Sequence, residues 1–541
     1  MTAEGRGRHV WLVGMPGSGK TAAGPVLADL LGLGFVDLDA EVERNAGRSI
    51  ADIFAGDGEQ GFRAMEAGAL CAAADGPAAV VSTGGGAVLD QKNRRLMRRT
   101  GLVLHLEVDA GEALARLAED PRPRPLLADR GSWESLAAER APLYRALADG
   151  TVHGGPGPAG PETSARALAR LVRGDPPVTA VSVEVPGRPY DVVVGVRILP
   201  RLRLSVPGAP DGGTAFVVAD RRVAERFLRD VAAGLEEAGW AAVHLAIPDG
   251  EAAKALAVAE GLYRELARHE AQREDLVVAL GGGVTGDLAG FVAATYLRGM
   301  PVVQIPTTLL AQVDAAIGGK TGVNLPDGKN LVGAFHQPAA VLADVATLSG
   351  LPDREYRSGL GEVAKYALAF DRGILDLLER NTGQVARPEP DREGTFRVLH
   401  DLVRRCVEIK AEVVARDERD ASERLFLNYG HTVAHALERV AGFEGRSHGE
   451  AVAIGMVFAA RLAERLGVAA PGLVGRHVGL LERYGLPTGG PLRDPGAILD
   501  AMRMDKKRRG ALRFVLLEDV GRPVVVGDIP DEAVVETLEA M

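Results

Sequence analysis

Cysteine is nearly missing from this chain: Cys71 and Cys406 are the two present among 541 residues, far apart in sequence. That excludes a disulfide framework and suits a reducing compartment. No apolar stretch approaches the roughly 20 uninterrupted residues of a bilayer-spanning helix. The opening segment, MTAEGRGRHVWLVGMPGSGK, has a short apolar run but neither the long apolar region nor the cleavage site of a secretion signal. A basic stripe is absent too. The formal net charge is -10 and arginine is interspersed with acidic residues, so no nucleic-acid partner is expected. Internal repeats and long low-complexity tracts are also missing. These absences lead to the expectation of a soluble, cytoplasmic protein with small-molecule partners and no membrane contact.

The composition is 46% hydrophobic and 25% charged, the balance of a globular protein with a sizeable core. The length exceeds the roughly 100–200 residues of one domain, so at least two folding units are expected. The first alternates strand-like runs (His9–Val13, Phe35–Leu38, Ala79–Ser82, Leu102–Leu106) with helical patterns, the signature of a parallel sheet with helices on both faces. Ser164–Val172 reads as its last helix, which makes the unit 1–173 and leaves 174–177, with two prolines, as a short linker. Residues 178–350 alternate again, with strand-like Ala215–Ala219, Ala242–Ala246, Asp275–Leu280 and Val302–Ile305. Residues 351–541 turn mostly helical, with helical periods over Leu351–Leu378, Arg397–Ala415, Thr432–Val440 and Glu450–Leu466. The fold class is thus α/β: a P-loop unit, then a unit with an α/β half and a mostly helical half.

Gly14-Met-Pro-Gly17-Ser18-Gly19-Lys20-Thr21 follows an apolar strand and precedes a helix, the context that makes this pattern a nucleotide phosphate loop. Backbone N–H groups would turn inward around phosphate oxygens, Lys20 would reach the terminal phosphates, and Thr21 would ligate Mg²⁺. The spacing of FVDLD predicts Asp37 and Asp39 on the same side of a strand end. In GEQGFRAME, Arg63 and Glu66 stand one helical turn apart. A second glycine loop, Gly84-Gly85-Gly86, closes a strand, and Arg124-Pro-Leu-Leu and Arg140-Ala-Pro-Leu-Tyr144 follow.

With these motifs, residues 8–173 resemble the shikimate kinase family. The resemblance implies an ATP- and Mg²⁺-dependent kinase of shikimate. Asp39, Arg63, Gly84, Gly85, Gly86 and Arg140 would bind shikimate, with Asp39 on the attacked hydroxyl and the arginines on the carboxylate. Asp37 would join the Mg²⁺ shell. Arg124, by its RPLL match rather than the nearby Arg122, would be the lid arginine that closes over ATP.

In the second unit, DLVVALGGGVTGDLAG is a strand, a triple-glycine turn and a helix start, a geometry that lets backbone approach a dinucleotide pyrophosphate. The helical half holds Glu362, His431, His435 and His448. One carboxylate and two imidazoles with an open position suit a catalytic metal. His431 and His435, four apart, share a helix face, so spacing alone leaves open which one is the ligand.

Residues 178–541 resemble the 3-dehydroquinate synthase family through GGGVTGDLAGFVAATYLRG, DAAIGGKTGVNLPDGKNLVGAFHQP, GEVAKYAL, RLFLNYGHTVAHALE, HGEAVAIGM and MDKKRRGALRFVLL. That resemblance implies an NAD⁺ site at Asp220, Glu251, Lys254, Gly282, Gly283, Asp287, Thr307, Thr308, Asp314, Lys320 and Lys329. It implies Zn²⁺ or Co²⁺ on Glu362, His431 and His448. Arg298, Lys320, Asn330, His435 and Lys506 (or its neighbour Lys507) would face the substrate phosphate. Lys365, Lys410, Arg424 and Asn428 would hold the carboxylate and hydroxyls of 3-deoxy-D-arabino-heptulosonate 7-phosphate. Arg298 can come from a neighbouring subunit in that family, which implies a homodimer. The implied chemistry is transient oxidation, elimination assisted by the substrate's own phosphate, re-reduction and aldol closure. Weighed against it are a sister sugar-phosphate cyclase, a polyol dehydrogenase, and a fusion with one half dead and regulatory. The two implied reactions are not consecutive, so the halves are expected to work independently.

Overall fold

The structure is a computed structural model that describes residues 9–119, 130–153, 160–173, 178–204, 206, 208–210, 212–389, 394–419, 423–441, 445–490, 494–506 and 513–541. Arg122, Arg124, Lys507 and the predicted linker lie outside the described residues, as does the side chain of Lys506. The chain divides into two compact units, 1–177 and 178–541.

The first unit runs β1 (His9–Val13), α1 (Lys20–Leu31), β2 (Gly34–Asp37), α2 (Leu38–Ala46), α3 (Ile50–Asp75), β3 (Ala79–Ser82), α4 (Gln91–Thr100), β4 (Gly101–Glu107), α5 (Ala110–Glu119), α6 (Arg130–Leu147), β5 (Gly150–His153) and α7 (Gly160–Arg173). Its parallel sheet has the order β2-β3-β1-β4-β5. The central β1, HVWLV, is buried at every position, as a strand covered on both faces must be. One face packs around Trp11, Val13 and Val81, the other around Val10, Leu12 and Leu27. Each such side chain contributes about 1.5–3 kcal/mol when fully buried.

The second unit opens with β6 (Val178–Val183), β7 (Tyr190–Gly195), β8 (Thr214–Asp220), α8 (Arg221–Glu237), β9 (Ala241–Ile247), α9 (Leu256–Arg268), β10 (Leu276–Gly281), α10 (Gly283–Thr295), β11 (Val302–Pro306), β12 (Lys320–Leu325), β13 (Gly328–Phe335) and β14 (Ala340–Asp344). The main sheet has the order β6-β7-β14-β11-β10-β8-β9, parallel except for the β6–β7 pair. β12 and β13 form a separate antiparallel hairpin, which the sequence reading did not single out. Its Pro-Asp-Gly turn was the available signal.

The helical part contains α11 (Asp353–Ala369), α12 (Arg372–Arg380), α13 (Thr382–Val385), α14 (Thr395–Arg416), α15 (His431–Val440), α16 (His448–Arg465), α17 (Leu473–Arg483) and α18 (Pro495–Lys506), then the β15 (Phe514–Asp519)/β16 (Arg522–Val526) hairpin and α19 (Asp531–Glu539). The helical period over Leu351–Leu378 is therefore broken once. Asp371 leaves helical geometry and its side chain accepts the Gly373 N–H at 2.7 Å, capping a new helix.

Where α11 and α16 cross, no side chain intervenes. A Cβ on Gly361 would lie 2.5 Å from the Gly449 carbonyl oxygen. Gly430, with φ 79, caps α15 against the same α16, where a Cβ would come 2.9 Å from the Val452 carbonyl oxygen. Glycine alone permits these approaches, and next in sequence to Gly361, Gly430 and Gly449 stand Glu362, His431 and His448.

Candidate active sites

In the first unit the loop after β1 bends through left-handed glycines, Gly17 at φ 82 and Gly19 at φ 92. Lys20 begins α1 with its ammonium turned back on the loop, donating to the Gly14 carbonyl at 2.7 Å, the Met15 carbonyl at 3.1 Å and Ser18 Oγ at 3.2 Å. Trp133 of α6 donates to the Pro16 carbonyl at 3.1 Å, which ties α6 to the loop.

Beside the loop, the glycine run after β3 makes room for charge. A Cβ on Gly84 would collide with Glu66 and stand 2.9 Å from Asp39 Oδ1, and one on Gly86 would fall on the Arg63 guanidinium. Arg63 donates to Glu66 at 2.7 Å and to Glu59 at 3.1 Å. Burial raises the Glu66 carboxyl against the opposing pull of Arg63. Arg140 is buried on α6, and Tyr144, one turn on, donates to the Gly85 carbonyl. Burial pushes that phenol upward. A cavity of about 220 Å³ is lined by Glu59, Arg63, Glu66, Gly86, Leu89, Asp90 and Asn93.

One placement differs from expectation. Asp39 does not share a strand end with Asp37 but lies in the first turn of α2. Asp37 caps that helix, its Oδ1 accepting the Asp39 N–H at 3.0 Å, so the chain leaves the sheet one residue after Asp37. Glu66, which the motif reading left without a role, is 1% exposed at the centre of the cluster.

In the second unit the turn after β10 starts α10 at Gly282. Lys254 bridges Asp287 Oδ2 and Asn330 Oδ1, each at 2.5 Å. Asn330, at φ 55 on the hairpin, thus joins groups that sequence alone had divided between cofactor and substrate. Lys329 stands 3.7 Å from Glu251, whose carboxylate also accepts from Asn324 at 2.7 Å. Asp220 caps α8, accepting the Val223 N–H at 3.0 Å. The Thr307 N–H donates to the Gly281 carbonyl at 2.9 Å, and Thr308 Oγ1 accepts the Ala311 N–H at 3.2 Å.

The helical part supplies the reactive groups. A second cavity of about 220 Å³ is lined by Asp287, Asp314, Ala315, Ile317, Lys320, Asn330, Lys365, Lys410, Arg424, Leu427, Asn428 and His431. Lys410 meets Asp314 at 2.6 Å, and Tyr366 donates to the same carboxylate at 3.3 Å. Burial would raise the Asp314 carboxyl, but the Lys410 and Lys365 ammonium groups outweigh it and hold it below the ordinary range. Burial, joined by the charges of Lys365 and Lys320, lowers Lys410. Arg298 and His435 are not among the lining residues.

Glu362 is wholly buried, with one oxygen turned each way. Oε2 pairs with Lys365, while Oε1 lies 3.4 Å from His431 Nε2 and 3.5 Å from His448 Nε2. Two ligands about 2.1 Å from a tetrahedral ion stand about 3.4 Å apart, so these spacings fit a divalent metal. All three donors lie within 4.8 Å of one another, and His435 is outside that group. Geometry thus separates two histidines that the helical spacing could not.

The arrangement points first to a class: a P-loop kinase and a metal- and dinucleotide-dependent enzyme of an anionic substrate, carried on one chain. Residues 16–169 match the family model for shikimate kinase. Residues 244–358 and 359–508 match those for the 3-dehydroquinate synthase N-terminal and C-terminal regions. The 3-dehydroquinate synthase of Pelobacter propionicus is 45% identical over 64% of this chain and 96% of its own length. A crystal structure of 2-deoxy-scyllo-inosose synthase with carbaglucose-6-phosphate, NAD⁺ and Co²⁺ is 27% identical over 67% of this chain and 99% of that chain, with TM-score 0.60. The 2-epi-5-epi-valiolone synthase ValA of Streptomyces hygroscopicus, with NAD⁺ and Zn²⁺ bound, is 30% identical over 65% and 96%, with TM-score 0.58. The chain belongs to the 3-dehydroquinate synthase family, and it carries a shikimate kinase unit ahead of the synthase.

Proposed function

We propose that this chain works as two enzymes: it phosphorylates shikimate with ATP and Mg²⁺ in its first unit and, with NAD⁺ and Zn²⁺ or Co²⁺ in its second, turns 3-deoxy-D-arabino-heptulosonate 7-phosphate into 3-dehydroquinate and phosphate. The observation that carries the synthase reading is the Glu362–His431–His448 cluster beside Lys365, Lys410 and Arg424. Identity of 45% to a curated 3-dehydroquinate synthase, against 27–30% to the two sister cyclases, favours this substrate over theirs.

In the kinase unit, Lys20 exchanges loop carbonyls for phosphate oxygens, Thr21 and Asp37 hold the metal, and Arg63 and Arg140 clamp the carboxylate. Asp39 orients the attacked hydroxyl and takes its proton. In the synthase unit, Glu362, His431 and His448 would hold the divalent metal, which would supply Lewis-acid polarisation of a ring hydroxyl, and NAD⁺ would supply reversible hydride transfer. Lys365, Lys410, Arg424 and Asn428 bind the carboxylate and hydroxyls. Lys320 and Asn330 draw the phosphate to one end, where the Lys320 ammonium meets the departing charge, and the family resemblance adds Lys506 to that role.

The finer parts of the reading are a homodimer and a cytoplasmic location. Leu297 and Arg298 hold left-handed backbone at φ 48 and φ 67, and Leu297, Leu331 and Phe335 are exposed. Strain of this kind in non-glycine residues is retained where it serves a site. A second copy covering this apolar ground would receive Arg298 into its own cavity. Among the described residues no helix is long and apolar enough to cross a membrane.

The test is product identification by mass spectrometry, with the heptulosonate phosphate and NAD⁺, with and without a chelator. Chelator-sensitive 3-dehydroquinate supports the reading. Turnover of sedoheptulose 7-phosphate instead would assign the second unit to a sister cyclase.

A further inference from the structure

The two imidazoles that face Glu362 are held from behind by different groups. His431 Nδ1 lies 3.2 Å from the Tyr429 carbonyl oxygen, an acceptor built into its own backbone. Tyr429 is itself fixed, fully buried with its hydroxyl 2.8 Å from His477 Nε2. His448 Nδ1 instead faces a side chain, Glu438 Oε1, at 3.0 Å. Glu438 stands seven residues after His431 on α15, so ligand and support share one helix face.

A carbonyl and an ionised carboxylate can only accept, so each Nδ1 carries a hydrogen, and Nε2 is the nitrogen that gives up its proton to a metal. The two histidines are unequally protected. The His431 side chain is 11% exposed and the His448 side chain 31% exposed, so His448 depends more on an outer partner to keep its orientation.

We propose that Glu438 is the positioning residue of the metal centre: it accepts the Nδ1–H of His448, fixes that tautomer and aims Nε2 at the point shared with Glu362 and His431. The inference rests on the metal reading above and extends it to a residue outside the ligand set. Such outer partners of metal-bound histidines typically contribute about ten- to hundredfold in metal affinity.

The experiment titrates the full metal-free chain with Co²⁺, reading affinity by chelator competition and geometry by the visible d–d spectrum. Variants are Glu438→Ala, Glu438→Gln and, as the site control, His448→Ala. Glu438→Ala is expected to bind Co²⁺ about ten- to hundredfold more weakly with an altered spectrum. Glu438→Gln, whose amide oxygen still accepts from Nδ1–H, recovers most of that loss. NAD⁺ binding, measured alongside, reports that the unit is folded. Wild-type affinity in Glu438→Ala, with binding lost in His448→Ala, overturns the positioning role and leaves the metal site standing. Equal losses in Glu438→Ala and Glu438→Gln overturn it as well, since the acceptor would not be what matters. Undiminished Co²⁺ binding by His448→Ala would remove the metal reading itself and this proposal with it.

Discussion

Replacing Lys365 by methionine tests how the metal-facing carboxylate is held. Lys365 is 1% exposed and its partner Glu362 is 0% exposed, so the substitution leaves a carboxylate buried without the ammonium that pairs with Oε2. Removing one member of such a pair costs about 3–5 kcal/mol, because the remaining charge cannot reach water and keeps only the His431 and His448 imidazoles, at 3.4 and 3.5 Å, beside it. The pH dependence gives the sign. In the wild type, burial would raise the Glu362 carboxyl, but Lys365 and His431 outweigh it and hold it well below the ordinary value. Its contribution is therefore present above the unfolded value of about 4.3 and lost as pH falls through the lower folded value.

In Lys365→Met burial has less opposition and the folded value moves up. The penalty relative to the wild type is full above the variant's folded value and fades as pH falls through it toward the lower wild-type value. Urea unfolding of the metal-free protein at several pH values measures it directly. Co²⁺ at about a hundred times its dissociation constant adds about 2.7 kcal/mol to any form that binds it. The variant should gain more than the wild type at equal Co²⁺ concentration, since its carboxylate is no longer shared with an ammonium. A metal-free variant that unfolds within about 1 kcal/mol of the wild type near neutrality, or a penalty indifferent to pH, would refute the argument.

Three further outcomes are expected. Lys20→Ala should abolish shikimate phosphorylation and leave dehydroquinate formation nearly intact; a large fall in both activities, with folding preserved, would show the units to be coupled. His431→Ala should lose both metal binding and cyclisation, whereas His435→Ala should keep the metal and lose rate, measured by metal analysis beside turnover. Gly17→Ala places a Cβ 2.6 Å from the Ala113 carbonyl oxygen at φ 82, so calorimetry should find the kinase unit destabilised by about 1–3 kcal/mol and ATP binding weakened.

Chemistry that lives within a few residues could be read from the chain directly. The phosphate loop from Gly14 to Thr21 is contiguous, and its loop-then-helix form follows from glycines at positive φ and an apolar strand before them. The triple-glycine turn at the end of β10 is equally local. The Asp37/Asp39 placement failed because the same short segment suits a strand end or a helix start. Asp37, by capping α2, chose the second.

What sequence alone determined, then, was the pair of folding classes, the loops that cradle phosphates and the stock of candidate ligands. Tertiary structure decided which of those candidates meet. His431 and His435 are alike in spacing; the crossing of α11 with α16 at Gly361 and Gly449 sets Glu362 3.5 Å from His448, and α15, packed on α16 through Gly430, sets His431 3.4 Å from the same oxygen. Asp314 with Lys410, Lys254 with Asn330, and Glu438 behind His448 are likewise contacts between groups that local pattern does not pair. The physical reason is range. Hydrogen bonds, caps and turns are set over a few residues, whereas a metal site needs donors placed to within a few tenths of an ångström, which only close packing of distant elements supplies.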